Sequence, residues 1–416
     1  MPTFSSQTER AAQPHVVVPP ITFDDREWRP VDSGRYSRRE LNRQTGPYKS
    51  AVPAVLADWQ PEVEGGLGAD VDEASRALAE FDSFAALTLG SDNPAIAPMS
   101  AILLRTESAS SSQIENLTTS AKQLALAEID ESEKANAMTV IGNVRAMEAA
   151  IRLSRTIDES TVLAMHHELL RHQLGFEEHA GVLRDELVWI GDGNAGPREA
   201  QFVAPHHERI EPALADLIRF IARDDVPALV QVAVAHAQFE TIHPFVDGNG
   251  RTGRALAQAM LRNKGVVSHT TIPLSAGLLV DTQTYFDALT AYRAGDAAPI
   301  VSRFAEAALF AAASGRTLVE RLAAQLDDSR ARMSGVRAHA VAWKALPLLI
   351  GQPVVNAKYL KAQLGLNDVT VQRALELLTD RGVLVERTGL RRNRVWQHPG
   401  VLAVLDDFAA DIRRAR

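Results

Sequence analysis

Residues 243–254 read His-Pro-Phe-Val-Asp-Gly-Asn-Gly-Arg-Thr-Gly-Arg, so one imidazole, one carboxylate, three glycines and two guanidinium groups share twelve positions. That set can hold an anion beside a base. Apolar periodicity resumes after Asn249 at Ala255, Leu256, Ala259 and Met260, which makes the segment a loop running into a helix. The first N–H groups of such a helix have no intrahelical partner, and the helix dipole there favours negative charge. Gly248 and Gly250 permit the close backbone approach that an anion nest needs. Arg251 and Arg254 lie three residues apart, near enough on one helix to reach the same phosphates. Asp247 offers a hard oxygen ligand for a Mg²⁺ ion that keeps most of its waters. His243, whose ordinary pKa lies near neutrality, is the natural general base.

The segment resembles the Fic-domain signature His-Pro-Phe-x-(Asp/Glu)-Gly-Asn-Gly-Arg-x-x-Arg, with no departure at any specified position, and residues 235–242 resemble the helix that leads into that loop. Most Fic enzymes transfer AMP from ATP to a Ser, Thr or Tyr hydroxyl of a protein. The resemblance implies that His243 deprotonates the target hydroxyl and that Asp247 binds Mg²⁺ on the α- and β-phosphates. It makes Gly248, Asn249, Gly250 and Arg251 the anion hole and sends Arg254 to the γ-phosphate. ATP is then the co-substrate and Mg²⁺ the cofactor.

Far upstream, Ser111-Ser-Gln-Ile-Glu115-Asn116 resembles the Fic inhibitory motif (Ser/Thr)-x-x-x-Glu-(Gly/Asn). Its place before the catalytic loop resembles the class with an N-terminal inhibitory helix. A carboxylate set against Arg254 would form a charge-assisted pair and occupy the γ-phosphate position. ATP could still bind, with its α-phosphate turned away from in-line attack. In some relatives the same Glu supports AMP removal, so reverse chemistry is open to this chain. Two short apolar runs, residues 183–190 and 201–205, flank a Gly-rich turn at 191–197 and read as a β-hairpin with a long loop. In the family such a flap clamps a target segment by strand addition. Tyr285, Phe286 and Arg293 stand where many relatives carry Tyr-Tyr and an Asn near the adenosine. They mark an adenosine pocket with altered base and ribose contacts, and Tyr285 and Phe286 read equally well as helix-core aromatics.

These motifs need a scaffold. At 416 residues with 46% hydrophobic content the chain can build two or three domains around real cores, and no run is long enough to span a membrane. Zero cysteines exclude disulfides and Cys-ligated metals. The polar first residues hold no signal-peptide pattern, and the expected location is cytoplasmic. A net charge of −8 argues against broad nucleic-acid attraction by the whole chain. The expected fold is mainly α: a Fic-type helical core with a β-hairpin flap, plus a small C-terminal winged helix-turn-helix domain.

Residues 1–45, polar and Arg-rich between Arg35 and Arg43, read as a flexible arm. An N-terminal helical region with the inhibitory helix follows over 46–129, then the core over 130–330. Helical periodicity covers residues 71–87, 121–126 and 135–153. Residues 335–400 read as a separate module of three helices and two strands, followed by a C-terminal helix over 401–416. The order resembles a winged helix, with Thr370, Gln372 and Arg373 near the start of its recognition helix. Arg387, Arg391, Arg392 and Arg394 on the wing could meet DNA phosphates, or serve as the rim of a protein contact or homodimer. Two functional classes therefore compete: a self-inhibited protein adenylyltransferase, and a DNA-binding regulator whose core senses a nucleotide.

Overall fold

The computed structural model describes residues 16–31, 34, 36–63, 65–89, 96–132, 134–191, 195–387 and 394–416. The chain opens with β1 (Thr22–Trp28), α1 (Arg38–Gln44) and β2 (Gly46–Val52). The two strands pair antiparallel, from Thr22 opposite Val52 to Trp28 opposite Gly46. This corrects the flexible arm expected over 1–45, of which residues 1–15 lie outside the described residues. Asp24, Asp25, Arg26 and Glu27 gave β1 the composition of a solvated tail, and its pairing partner follows only after α1. Asp24 also accepts from Arg209 at 2.9 Å, which ties the hairpin to the core. Ser37 and Glu40 cap α1 reciprocally in a capping box.

Five helices follow: α2 (Gly65–Leu89), α3 (Ile96–Ile114), α4 (Ala121–Glu128), α5 (Ala135–Leu153) and α6 (Glu159–Leu170). The periodic stretches 71–87, 121–126 and 135–153 fall inside α2, α4 and α5. A short hairpin, β3 (Trp189–Ile190) with β4 (Phe202–Val203), then precedes α7 (Ile210–Ile221), α8 (Ala228–Ile242) and α9 (Asn249–Asn263). Helix α7 buries Ile210, Leu214, Leu217, Phe220 and Ile221, a single stripe, and exposes its other side. Every residue of α8 from Leu229 to Ile242 is buried. A helix buried on all sides belongs at the centre of a bundle, and α8 runs there beside α9, with the 243–248 loop between them. At about 1.5–3 kcal/mol per fully buried large apolar side chain, this pair is held too firmly to drift.

Helices α10 (Leu274–Val280) and α11 (Thr282–Arg293) lead into α12 (Ala298–Arg332), which packs along α2 and α8. Gly315 makes the α2 contact close, because a Cβ there would lie 2.9 Å from the Phe81 ring. The C-terminal part comprises α13 (Ala342–Gly351), β5 (Val354–Asn356), α14 (Ala357–Leu364), α15 (Asp368–Asp380), β6 (Val385–Glu386), β7 (Val395–Gln397) and α16 (Pro399–Ala415). Its strands form an antiparallel sheet in the order β5-β7-β6. The expectation of a separate module needs correction, since this part shares one hydrophobic core with the central bundle. A Cβ on Gly351 would meet Pro98 at 2.7 Å, Gln352 Nε2 donates to the Ala125 carbonyl at 2.7 Å, and Arg416 Nε donates to Leu279 O at 3.0 Å. Periodicity shows that a helix has an apolar face but not which neighbour covers it. Among the described residues no helix is long and apolar enough to cross a membrane.

Candidate active site

Helix α8 ends at His243, which adopts left-handed backbone (φ 50°) and donates its N–H to Phe239 O at 2.9 Å. Pro244 cannot continue the helix, so the chain turns there. Asn249 closes the loop, its Oδ1 accepting from Phe245 N at 2.9 Å and its Nδ2 donating to Phe245 O at 2.8 Å. Gly248 takes φ 77° against Leu169, where a Cβ would sit 2.7 Å from Cδ2. No side chain caps the start of α9. Its first N–H groups therefore have no intrahelical or capping partner, the setting that suits an anion.

Two buried guanidinium groups line that site, Arg251 at 2% and Arg254 at 3% side-chain exposure. Both point at Glu115. Arg251 Nε donates to Glu115 Oε2 at 2.9 Å, and Arg254 NH2 donates to Oε1 at 2.7 Å. Arg254 is also fixed by Ser111, through Nε to Oγ at 2.8 Å and NH2 to the carbonyl at 2.9 Å. The sequence pattern pointed to Arg254; the equal grip of Arg251 had no sequence signal. A Cβ on Gly250 would lie 2.4 Å from Glu115 Oε1. The carboxylate thus rests on the glycine backbone at the start of α9.

Glu115 stands at the C-terminal end of α3, followed by Asn116 at φ 61°. Leu117 N donates to Ser112 O at 3.0 Å, the six-to-one bond of a Schellman cap, and Asn116 is one of the few residues that tolerate its left-handed position. A carboxylate at a helix C-terminus is disfavoured by the dipole. The two arginines offset that cost, so removing them would leave Glu115 no reason to stay.

Asp247 Oδ2 accepts from Gln173 Nε2 at 3.0 Å and Arg251 NH2 at 3.1 Å, and its side chain remains 36% exposed. His166 holds its main chain: Nδ1 accepts from Gly181 N at 3.0 Å, which leaves Nε2 to donate to Asp247 O at 3.0 Å. The same ring stacks on Phe245 at 3.6 Å, and burial lowers its pKa to about 4.

His243 Nδ1 lies 3.4 Å from Glu240 O, an arrangement that keeps the proton on Nδ1 and the lone pair on Nε2. Burial, aided by the charge of Arg184, lowers its pKa to about 4. The imidazole is therefore neutral at pH 7. Glu240, buried on α8, is pushed up to about 7 by burial, against the pull of Arg254. Arg184 staples the hairpin to the loop: Nε donates to His243 O at 2.8 Å, NH1 to Glu186 O at 2.8 Å and NH2 to Pro205 O at 2.7 Å. Sequence reasoning missed His166, Gln173 and Arg184, whose loop partners Asp247 and His243 lie distant in the chain.

The expected hairpin is present, with Trp189 opposite Val203 and Ile190 opposite Phe202; residues 192–194 of its loop lie outside the described residues. Tyr285 is buried in the bundle with its hydroxyl 2.7 Å from His236 Nε2, while Phe286 is 47% exposed. Arg293 stacks on Phe202 at 3.7 Å and donates NH2 to Glu240 O at 3.3 Å. Of these three, Arg293 reaches the hairpin, while Tyr285 also faces Arg254 from within the bundle. In the C-terminal part Arg394 pairs with Glu386 and lies over Trp396 at 4.8 Å. Thr370 and Gln372 are half-buried and Arg373 and Arg387 exposed, whereas Arg391 and Arg392 lie outside the described residues.

A helical bundle with an anion site between its two central helices, one base at its edge and a carboxylate inside it, defines the class of site. Sequence profiles identify the lineage. The profile described as Fic/DOC family matches residues 156–261, and that of the Fic/DOC family N-terminal region matches residues 69–152. Residues 156–261 are thus a Fic/DOC family region, preceded by that family's N-terminal region over 69–152. A probable protein adenylyltransferase of Aquifex aeolicus is 25% identical over 175 residues, 40% of this chain and 50% of that protein. Protein adenylyltransferase fic-1 of Caenorhabditis elegans is 28% identical over 134 residues, 29% of this chain and 24% of the relative. Protein adenylyltransferase Fic of Nematostella vectensis is 27% identical over 154 residues, 36% and 32% respectively. The matches thus span half or less of these relatives. The crystal structure of a Fic family protein from Desulfovibrio desulfuricans is similar in fold, with TM-score 0.51 and 21% identity over 82% of this chain and 98% of that one.

Proposed function

We propose that the protein is a self-inhibited adenylyltransferase that moves AMP from ATP to a hydroxyl side chain of a protein. The carrying observation is Glu115 bridging Arg251 and Arg254 at the start of α9. A carboxylate so held is the anion nearest in chemistry to a phosphate, and the site that accepts it suits the terminal phosphate of a nucleotide. In transfer, the target oxygen forms a bond to the α-phosphorus while the bond from that phosphorus to the leaving pyrophosphate breaks. The hydroxyl proton passes to His243 Nε2. Little covalent work falls to the protein; alignment and neutralisation of charge dominate.

A divalent ion fits Asp247, a partly exposed carboxylate beside the anion site, as Mg²⁺ held by one protein oxygen, waters and phosphates fits such places. When bound it would neutralise charge building on the pyrophosphate. The hairpin 183–205, tied to His243 through Arg184, would hold the target segment by strand addition. ATP labelled at the α-phosphate should mark protein in the presence of Mg²⁺, and His243→Ala or a chelator should abolish the label. Undiminished labelling by His243→Ala would remove the base assignment.

The helix and strand order of the C-terminal part supports a winged-helix reading, and its docking supports a bracing role. Arg394 is neutralised by Glu386 and α16 reaches back to the α3–α4 region. The full chain should therefore bind duplex DNA weakly or not at all at low salt; tight, salt-sensitive binding would favour the regulator reading.

A further inference from the structure

Arg251 and Arg254 share the Glu115 carboxylate, but they are not held alike. Arg251 keeps partners away from α3: NH2 donates to Asp247 Oδ2 at 3.1 Å and NH1 to Gln173 Oε1 at 3.4 Å. The hydrogen bonds from Arg254 to Ser111 and Glu115 all end at the C-terminal turns of α3. A phosphate that displaces the carboxylate removes one of these bonds, and the others come from the helical turn just before it. A long side chain set loose in this way regains rotamer freedom, which a ligand must then take away again. An anion site that stays formed needs a hold on Arg254 from outside α3.

Tyr285, in the first turn of α11, supplies one. Its side chain is 1% exposed, and its hydroxyl lies against the Arg254 guanidinium from within the bundle. The same oxygen is 2.7 Å from His236 Nε2 on α8, and the two rings stack at 5.9 Å. Burial, aided by the charge of Arg254, lowers the His236 pKa to about 3, so this imidazole is neutral. With Nε2 accepting, the hydroxyl proton has a partner and the oxygen's lone pairs are left for the guanidinium. Gly253 lets the helices come this close, because a Cβ there would lie 3.3 Å from His236 Cε1. Two acids also face Arg254. Glu107 is engaged by Ser275, through the main-chain N–H at 2.8 Å and the hydroxyl at 2.6 Å. Glu240 Oε1 has no hydrogen-bond partner among the described residues. These carboxyls contribute field, whereas Tyr285 contributes direction.

We infer that Tyr285, oriented by His236, is a positioning residue that keeps Arg254 aimed into the anion site when a phosphate replaces the Glu115 carboxylate. It ties α9 to α8 and α11 rather than to α3, so release of Glu115 leaves the tie intact. The inference rests on the transferase reading above for its meaning, but its test needs no transfer.

Pyrophosphate is the probe, titrated calorimetrically into the full chain carrying Glu115→Gly. Adding Tyr285→Phe should weaken binding about tenfold or more, the loss of one hydrogen bond to a charged group. His236→Leu should reproduce that loss, while His236→Gln, which can still bond the hydroxyl, should recover most of the affinity. Arg254→Met removes the group being positioned and leaves Arg251 to bind the probe; Tyr285→Phe added to it should change nothing further. A residue that only supports the fold would weaken binding equally in both backgrounds. Thermal melts check that each variant folds, and the two His236 variants read the same tie without altering Tyr285. With ATP, KM should rise by the same factor while kcat stays nearly unchanged, the pattern of lost binding rather than lost chemistry. Unchanged pyrophosphate affinity in Tyr285→Phe, or an equal loss in the Arg254→Met background, would overturn the inference. Failure of the Glu115→Gly parent to bind pyrophosphate would overturn the anion site and this inference with it. Transfer absent from every variant, with the binding results as expected, would instead count against the transferase reading alone.

Discussion

Replacing Glu115 with Gly should produce two effects of opposite sign, and their combination is specific to this geometry. Glu115 accepts one hydrogen bond each from Arg251 and Arg254, at 2.9 and 2.7 Å. Bonds to charged groups contribute about 1.5–3 kcal/mol each. Glu115 is 28% exposed, so the lower end applies after screening, about 3 kcal/mol for the two. At about 1.4 kcal/mol per decade, transfer should rise about 10²-fold once a nucleotide no longer competes with the carboxylate. The fold itself should weaken, because two nearly buried guanidinium groups lose their counter-charge. Breaking a buried pair costs about 3–5 kcal/mol, a fall in Tm on the order of 5 °C for a chain of this size. Pyrophosphate, which carries no adenosine and no transferable group, should restore that loss and raise Tm far more in the variant than in the wild type. Glu115→Gln is the isosteric control, since it keeps the shape and removes the charge. A thermal melt with and without pyrophosphate reads the second effect, and α-labelled ATP reads the first. Equal pyrophosphate shifts in both proteins, with unchanged transfer, would refute the reasoning.

Three further outcomes follow from the same site. His243→Ala should lose about 10²–10⁴-fold in transfer rate, the usual contribution of a positioned base, while calorimetry finds ATP affinity nearly unchanged; a large loss of affinity would mean that the imidazole binds rather than reacts. Because burial lowers the pKa of His243 to about 4, kcat/KM of the Glu115→Gly protein should be flat with respect to this base between about pH 6 and 8. Its acid limb should fall below about pH 5, as protons reach Nε2, and a limb centred at 6.5 would contradict the desolvated ring. Asn249→Ala removes both bonds to the Phe245 main chain and should cost about 2–4 kcal/mol in chemical denaturation; a cost near zero would show that the loop closes without it.

The 243–254 segment was legible as a loop entering a helix because its signals are local. Loop, helix start, glycines and arginines fall within twelve residues, and local rules for helix termini apply to them directly. The Glu115 motif was legible as a pattern, but its hold on Arg251 as well as Arg254 depends on where α3 ends against α9, a tertiary fact. His166, Gln173 and Arg184 were invisible for the same reason: each acts on a main-chain or carboxylate oxygen brought near by packing. Strand β1 was misread because four charged residues in a row mark a solvated tail unless the partner strand is known. Apolar stripes in the C-terminal part marked its helices but not the short strand β5, and they hid the docking, since an apolar face does not name its neighbour. Tyr285 illustrates the converse. Its hydroxyl could have served a pocket, and a buried His236 claims it.

The most direct test of the central claim is the intact mass of three proteins after incubation with Mg²⁺ and ATP: wild type, Glu115→Gly, and Glu115→Gly with His243→Ala. A gain of one AMP unit, small in the wild type, large in the single variant and absent in the double, is the predicted result. A gain of equal size in wild type and Glu115→Gly would contradict self-inhibition, and a gain that survives in the double variant would contradict the role of His243.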